Sequence, residues 1–294
     1  LEPQVTTINP DPFAPHKPMN FRDASEAGVS VDIERVMSTD TPRPEMPAAT
    51  DHQVKLPSGI VIDGRVVRTA EPRELTGRDE EDLARAAASN RPERLINTLL
   101  LAGVKSIGGV PATEELLNRM LVGDRDALIL GIRECTFGPT VDFERYVCAG
   151  CGRSFALSID LADVPVVEAA EPGATEFVVS LKGGRQARVR HATGSDQIAL
   201  MAATREKTLT VPEQDTVLLA RVVLAIDAGT GTWTELSANP IHVRESLSMA
   251  DRRTIMREMD KLRPGPRLDE VAVTCPDCAH ADSVTLSVDA LFRG

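Results

Sequence analysis

Aromatic residues are the first scarcity. They make up 3% of the 294 residues: one Trp, one Tyr and seven Phe. So few rings leave no platform on which nucleic-acid bases could stack. The core must come from Leu, Val, Ile and Ala. Long apolar runs are missing too. None approaches the ~18 residues that suggest a bilayer crossing, so no membrane span is expected. Positive charge is in the minority: 33 Lys and Arg stand against 44 Asp and Glu, giving a formal net charge of −11 and a pI near 5.0. Such a surface repels phosphate backbones, so no nucleic-acid partner is expected. The five histidines (His16, His52, His191, His242 and His280) form neither a His-x-x-x-His pair nor a partnership with a nucleophile. No acid–base constellation is evident elsewhere, and the chain is not expected to be an enzyme. Its start, Leu1-Glu2-Pro3-Gln4, is polar and lacks an initiator Met. It does not read as a signal peptide, and it is expected of a chain that begins inside a longer product.

Cysteine is also sparse, at five, yet four of the five fall in two Cys-x-x-Cys turns. One is Cys148-Ala149-Gly150-Cys151, after Tyr146-Val147 and before Gly152-Arg153-Ser154-Phe155. The other is Cys275-Pro276-Asp277-Cys278, after Val273-Thr274 and before Ala279-His280. Each reads as strand, tight turn, strand. Four thiolates are what a structural zinc needs for tetrahedral coordination, so one Zn2+ per chain is expected on Cys148, Cys151, Cys275 and Cys278. Three other arrangements remain open. His280 could replace one thiolate, each turn could pair with a turn of another chain, or each could form a local disulfide or do redox work. Redox Cys-x-x-Cys motifs normally open a helix, whose dipole lowers the thiol pKa; strands flank both motifs here. Four cysteines in such turns suit a reducing compartment. Cys135, the odd one, sits near a helix end and reads as buried packing.

Cys275 follows Cys148 by 127 positions, too far for one compact ribbon of consecutive hairpins. The distance makes sense if each turn closes one copy of a duplicated lobe. At that shift Asp124-Arg125 falls on Asp251-Arg252, Gly138-Pro139 on Gly265-Pro266, and both turns coincide. Upstream, Thr76-Gly77 and Asp79 match Thr193-Gly194 and Asp196. Leu99-Leu100, Val104 and Ile107 match Leu218-Leu219, Val223 and Ile226. Downstream, Leu157-Ser158-Ile159-Asp160 matches Leu286-Ser287-Val288-Asp289. The expected class is therefore α+β. Two tandem lobes each hold a β-hairpin and helices and end in a Cys-x-x-Cys zinc knuckle.

Along the chain, residues 1–53 hold eight of the twenty prolines and read as an extended arm. The segment Val31-Asp32-Ile33-Glu34-Arg35-Val36-Met37 within it has helical amphipathicity. Residues 54–166 form the first lobe, 167–174 a linker and 175–294 the second lobe. Asp63-Gly64 marks a hairpin turn. Thr76 or Asp79 is expected to cap one helix, and Asn90-Arg91-Pro92 to begin another that runs to Gly108-Gly109. Asp124 is expected to cap a helix over 125–136, with Arg125 pairing locally. In the second lobe, Ser195 or Asp196 should cap residues 197–203. Pro212 should open a helix through Ile226, and Asp251 should begin one over 251–262. The stretch Gly229-Thr230-Gly231-Thr232-Trp233 lacks the lysine of a phosphate-binding loop and reads as a plain loop.

The first lobe resembles the hub assembly proteins of T4-type phage baseplates, found in contractile tails and related contractile injection systems. The likeness rests on Leu56-Pro57-Ser58-Gly59, Arg73-Glu74-Leu75-Thr76-Gly77-Arg78-Asp79-Glu80-Glu81, the apolar stretch 94–107, Leu121-Val122-Gly123-Asp124-Arg125-Asp126 and Ile132-Arg133 with Phe137-Gly138. It covers roughly 54–163, and the second lobe matches best over 251–289. The doubling and the Pro-rich arm depart from that plan. The resemblance implies a non-catalytic structural or assembly protein, made in the bacterial cytoplasm and belonging to a tail or injection-system baseplate. It implies baseplate, hub, spike or tube proteins as partners; self-association is a further possibility. The competing reading is a zinc-ribbon regulatory or nucleic-acid adaptor.

Overall fold

A computed structural model describes residues 52–89, 91–236 and 239–292. The Pro-rich stretch up to residue 51, the segment 31–37 and Asn90 lie outside the described residues. The chain opens with a hairpin, β1 (Val54–Ile62) and β2 (Arg65–Pro72), which turns at Asp63-Gly64 as the sequence predicts. Helices α1 (Gly77–Ala88) and α2 (Pro92–Gly103) follow, then strands β3 (Val104–Ile107) and β4 (Val110–Pro111), then helices α3 (Glu114–Arg119) and α4 (Val122–Phe137). The four strands form one antiparallel sheet in the order β1-β2-β3-β4. After α4 come β5 (Thr140–Val147) and β6 (Ser154–Asp160), the hairpin that carries the first Cys-x-x-Cys turn, and the short β7 (Val166–Val167).

The same order of elements then recurs. Strands β8 (Glu176–Ser180) and β9 (Gln186–Arg190) lead to α5 (Gly194–Glu206) and α6 (Val211–Val222). Next come β10 (Val223–Asp227), β11 (Trp233–Glu235), α7 (Pro240–Ser246) and α8 (Met249–Leu262). Their sheet has the order β11-β10-β9-β8. The chain closes with β12 (Gly265–Pro266), β13 (Val271–Thr274), β14 (Ala281–Val284) and α9 (Val288–Phe292). The fold is mixed α+β.

Two helices stop earlier than expected. The one from Pro92 ends at Gly103 and the one from Val211 ends at Val222, each running straight into a strand. Val104 and Ile107 fit helical spacing equally well, but their β-branched side chains favour a sheet edge with a partner, and β2 supplies it. In the second half β9 pairs with β10 in the same way. The match of Leu157–Asp160 with Leu286–Asp289 does not extend to conformation. The first is strand, whereas Val288–Phe292 is helix, with Leu291 buried in the core.

Charged brackets hold hairpins to helices, and they too recur. Arg73 forks onto Asp79 (2.9 and 3.0 Å), whose Oδ2 also accepts the N–H (2.8 Å) and hydroxyl (2.7 Å) of Thr76, the N-cap of α1. Arg190 forks onto Asp196 (2.5 and 2.9 Å), which accepts both Thr193 donors at 2.9 Å. Burial pushes both carboxyls up, but the arginine and threonine donors outweigh it, and each ends at about 2. Thus Thr76 and Thr193 cap these helices, with the aspartates completing capping boxes.

Asp124 and Arg125 correct the expectation of a local cap and pair. Leu121 is the N-cap of α4, and Asp124, in the first turn, instead accepts the Ser58 N–H of β1 at 2.8 Å. Arg125 is 1% exposed. It reaches Asn97 Oδ1 on α2 (2.8 Å) and the Leu117 carbonyl (3.0 Å). In the second half Ser248, not Asp251, caps α8. Asp251 accepts from Arg185 beside the β8–β9 turn (2.9 Å), and Arg252 donates to Thr216 Oγ1 (2.7 Å) and the Pro212 carbonyl (2.6 Å) on α6.

Two apolar cores result. The first gathers Leu56, Leu100, Ile107, Leu117, Leu128 and Ile132; the second gathers Val179, Val189, Leu219, Val222, Val243 and Ile255. The end of the chain crosses back to the first. Val271, Val273, Val284, Leu286 and Leu291 are all buried there, each worth roughly 1.5–3 kcal/mol of apolar transfer. The halves meet where the start of α4 passes Pro264-Gly265: a Cβ at Gly123 would overlap the Pro264 carbonyl, so only glycine fits. Beside it, β12 pairs with β7.

Candidate metal centre

Both cysteine turns are built by the same two backbone bonds. In β5–β6 the Cys148 N–H donates to the Arg153 carbonyl (2.9 Å), and the Gly152 N–H donates back to the Cys148 carbonyl (2.9 Å). In β13–β14 the Cys275 N–H donates to the His280 carbonyl (2.9 Å), and the Ala279 N–H to the Cys275 carbonyl (3.0 Å). The bonds curl each turn until both sulfurs face one side. This curl needs a left-handed residue one place after the second cysteine. Gly152 supplies it with φ 71°, and Ala279 adopts it with φ 56° against the cost of its Cβ.

The two turns face each other. Cys148 Sγ lies 3.7 Å from Cys278 Sγ, Cys151 Sγ lies 3.8 Å from Cys275 Sγ, and all four sulfurs fall within 4.8 Å of one another. No disulfide links them. Four thiolates at the usual Zn–S length of about 2.3 Å span tetrahedral edges of about 3.8 Å, so the two edges across the gap have the length of a four-sulfur shell. Cys148 and Cys275 are buried, whereas Cys151 and Cys278 face solvent. His280 is not part of the cluster. Its ring lies over Gly150, where a Cβ would come within 2.7 Å of His280 Cγ. Cys135, half-buried on α4, also lies outside it.

The surroundings tie the turns together and bias the thiols. Arg153 pairs with Asp277 across the gap at 3.2 Å, and the Tyr146 hydroxyl donates to Asp282 at 2.8 Å. The Arg153 backbone N–H favours the Cys151 thiolate and draws its pKa down to about 6, with Cys278, the Arg153 side chain and Cys148 adding to the effect. For Cys278 the His280 N–H favours the thiolate too. Partial desolvation beside the other turn and the crowding of the other sulfurs outweigh it, and the thiol is pushed up to about 12. Four sulfurs this close cannot all carry charge unless a cation joins them.

The sequence singles out all four cysteines of the cluster, and the structure brings all four together. It gives no warning of Arg153, Asp277, Tyr146 and Asp282, which clasp the turns. Nor does it flag the Arg73 and Arg190 forks, although both stand 117 positions apart, at the same shift as Thr76 and Thr193.

Fold and site together define an α+β protein with two helical halves, whose last segments converge on a four-thiol cluster compatible with metal binding. The chain belongs to the T4 bacteriophage base plate protein family, whose family model matches residues 50–292. No curated protein and no solved structure matches it. Among the described residues, no helix is long and apolar enough to cross a membrane.

Proposed function

We propose that this is a non-enzymatic structural or assembly protein of the baseplate hub in a contractile tail or injection system. Its two halves are copies of one ancestral lobe, and a single structural Zn2+ on Cys148, Cys151, Cys275 and Cys278 rivets them. The sulfur spacing carries the metal assignment: the two edges across the gap match a tetrahedral shell, all four sulfurs lie within 4.8 Å, and a closed four-sulfur shell keeps no position for a substrate or water. Its role is cohesion, in a protein poor in aromatics that holds its final hairpin against a core built a hundred residues earlier. Shared element order, shared strand order, the paired Arg–Asp forks and the paired turn bonds support the duplication. Family membership supports other baseplate proteins as partners, with the tail baseplate as the place of action. The acidic surface makes a nucleic-acid role the weaker reading.

Metal analysis of protein purified without chelator should give one zinc per chain. Co-expression with tube, hub and spike subunits should recover one of them with this chain. A correctly folded protein free of metal would overturn the rivet. Salt-sensitive retention on DNA without any tail partner would overturn the structural role.

A further inference from the structure

The two halves meet through a corner of one and a recess of the other. The corner is the β9–α5 junction, Ala192-Thr193-Gly194-Ser195. The recess is formed by α2, α3 and the start of α4. Leu121 and Thr193 make an antiparallel bridge, the Val122 N–H donates to the Ala192 carbonyl (3.0 Å), and the Gly194 N–H donates to the Met120 carbonyl (2.9 Å). Ser195 Oγ donates to the Asn118 carbonyl (3.2 Å). Gly194 presses on Arg125, so that a Cβ there would stand 2.6 Å from the guanidinium.

Because the element order recurs, each half contains both surfaces, and one of each is left over. The spare corner is the β2–α1 junction, where Thr76 and Gly77 are exposed and a Cβ at Gly77 would meet nothing within 4 Å. The spare recess is formed by α6, α7 and the start of α8. Met249 there corresponds to Val122, and Arg252 to Arg125. The two faces differ in what covers them. Arg125 is sealed, whereas Arg252 is only partly buried. Near it stand two bare apolar side chains at helix starts, Val211 (70% exposed) and Met249 (69%). Val211 and Met249 belong to one surface, because Arg252, one turn along from Met249, bonds the carbonyl of Pro212. Isolated apolar side chains on a surface are ordinary; Met249 differs because its counterpart Val122 is half-buried at the intrachain joint of the other half.

We infer that the spare recess receives the spare corner of a second copy of this chain. The Leu75–Arg78 corner of one molecule seats against Met249 and Arg252 of the next and repeats the joint that already unites the halves. The contact is heterologous, so it propagates head to tail and builds a closed ring or an open filament, according to the rotation per step. It rests on the likeness of the halves and not on the metal.

The test uses the full chain, zinc-loaded, in sedimentation velocity from 1 to 300 μM with circular dichroism and zinc content as controls. Wild type should gain mass with concentration beyond the 31.7 kDa chain. Gly77→Arg blocks the corner by bulk and by charge against Arg252, at a site where the fold leaves open space. Met249→Asp blocks the recess and places an acid in the first turn of α8, where the dipole tolerates it. Each variant alone should stay at the mass of one chain with unchanged dichroism and zinc. An equal mixture should form a dimer and stop there, since each species keeps one working face. Monomeric wild type throughout the range overturns the proposal, as do variants that still assemble alone or a mixture that does not pair. Loss of zinc with assembly intact would count against the metal rivet only.

Discussion

Titrating free zinc against stability tests the shared ion most directly. A ligand bound by the folded state alone stabilises it by RT ln(1 + [L]/Kd), so one ion per molecule adds about 1.4 kcal/mol for each tenfold rise in free metal above Kd. The structure has one four-sulfur shell, formed only when both turns meet, with sulfurs 3.7 and 3.8 Å apart across the gap. The free energy of unfolding in guanidinium chloride, measured over three decades of buffered zinc, should therefore climb by about 4 kcal/mol with a slope of one ion. Cys275→Ser breaks the shell from the far side of the chain and should flatten the slope, although Cys148 and Cys151 remain. The loss should reach the first half, because the second turn sits on the hairpin that delivers Val271, Val273 and Val284 to the first core. A slope of two ions, or a wild-type slope that survives Cys275→Ser, would refute the shared site. Each turn would then hold metal independently of the other.

Other perturbations follow from particular residues. Ala279→Gly should raise stability by roughly 0.5–1 kcal/mol and Gly152→Ala lower it by about as much or more, because both positions are left-handed; thermal melts of the zinc-loaded protein would show opposite shifts. Gly123→Ala should cost about 3 kcal/mol or more by forcing α4 away from Pro264, read as a lower denaturant midpoint. Buried Asp124 is pushed up to about 6 by desolvation, against the Ser58 and Gly59 amides and Arg68 that favour its charge. The folded state therefore holds this proton more tightly than the unfolded chain does. Its stabilising share is fully present below about pH 4, the ordinary range for Asp, and is lost as pH rises through 6. Asp124→Asn should remove that slope, on the order of 2–3 kcal/mol between pH 4 and 7, from the difference between the two stability profiles. Asp126, also raised to about 6 by burial, should keep its own share in the variant.

The parts legible in sequence were those with local chemistry. Cys-x-x-Cys turns, the Asp63-Gly64 hairpin and the Thr-Gly-x-Asp helix starts carry their geometry in three or four neighbouring residues. Helix ends at Gly103 and Val222 were hidden, because Val104, Ile107 and Ile226 satisfy the spacing of a helix and the β-branching of a strand at once. Only a pairing partner decides between them. Asp124 and Arg125 look like a surface cap and its neighbour, and their true partners, Ser58 and Asn97, lie on other elements. The destination of the chain end was equally obscure. A Val-x-Val strand alternates in the same way whichever core it faces, and nothing near Val271 says that it joins the core of Leu100 and Ile132 rather than that of Leu219. The Arg73 and Arg190 forks were within reach, three residues upstream of a match already visible.

That late return to the first core has a consequence for synthesis. Ribosomes add about 5–20 residues per second, so well over a hundred residues, and roughly 6–25 seconds, separate Val164 from Leu291. Throughout that interval the nascent first half carries an open apolar face awaiting its last five side chains. Translation that stalls or terminates before Val271 leaves that face uncovered for quality-control chaperones to find, while a finished chain hides it. The fold thus makes completion of the polypeptide a condition for its own burial.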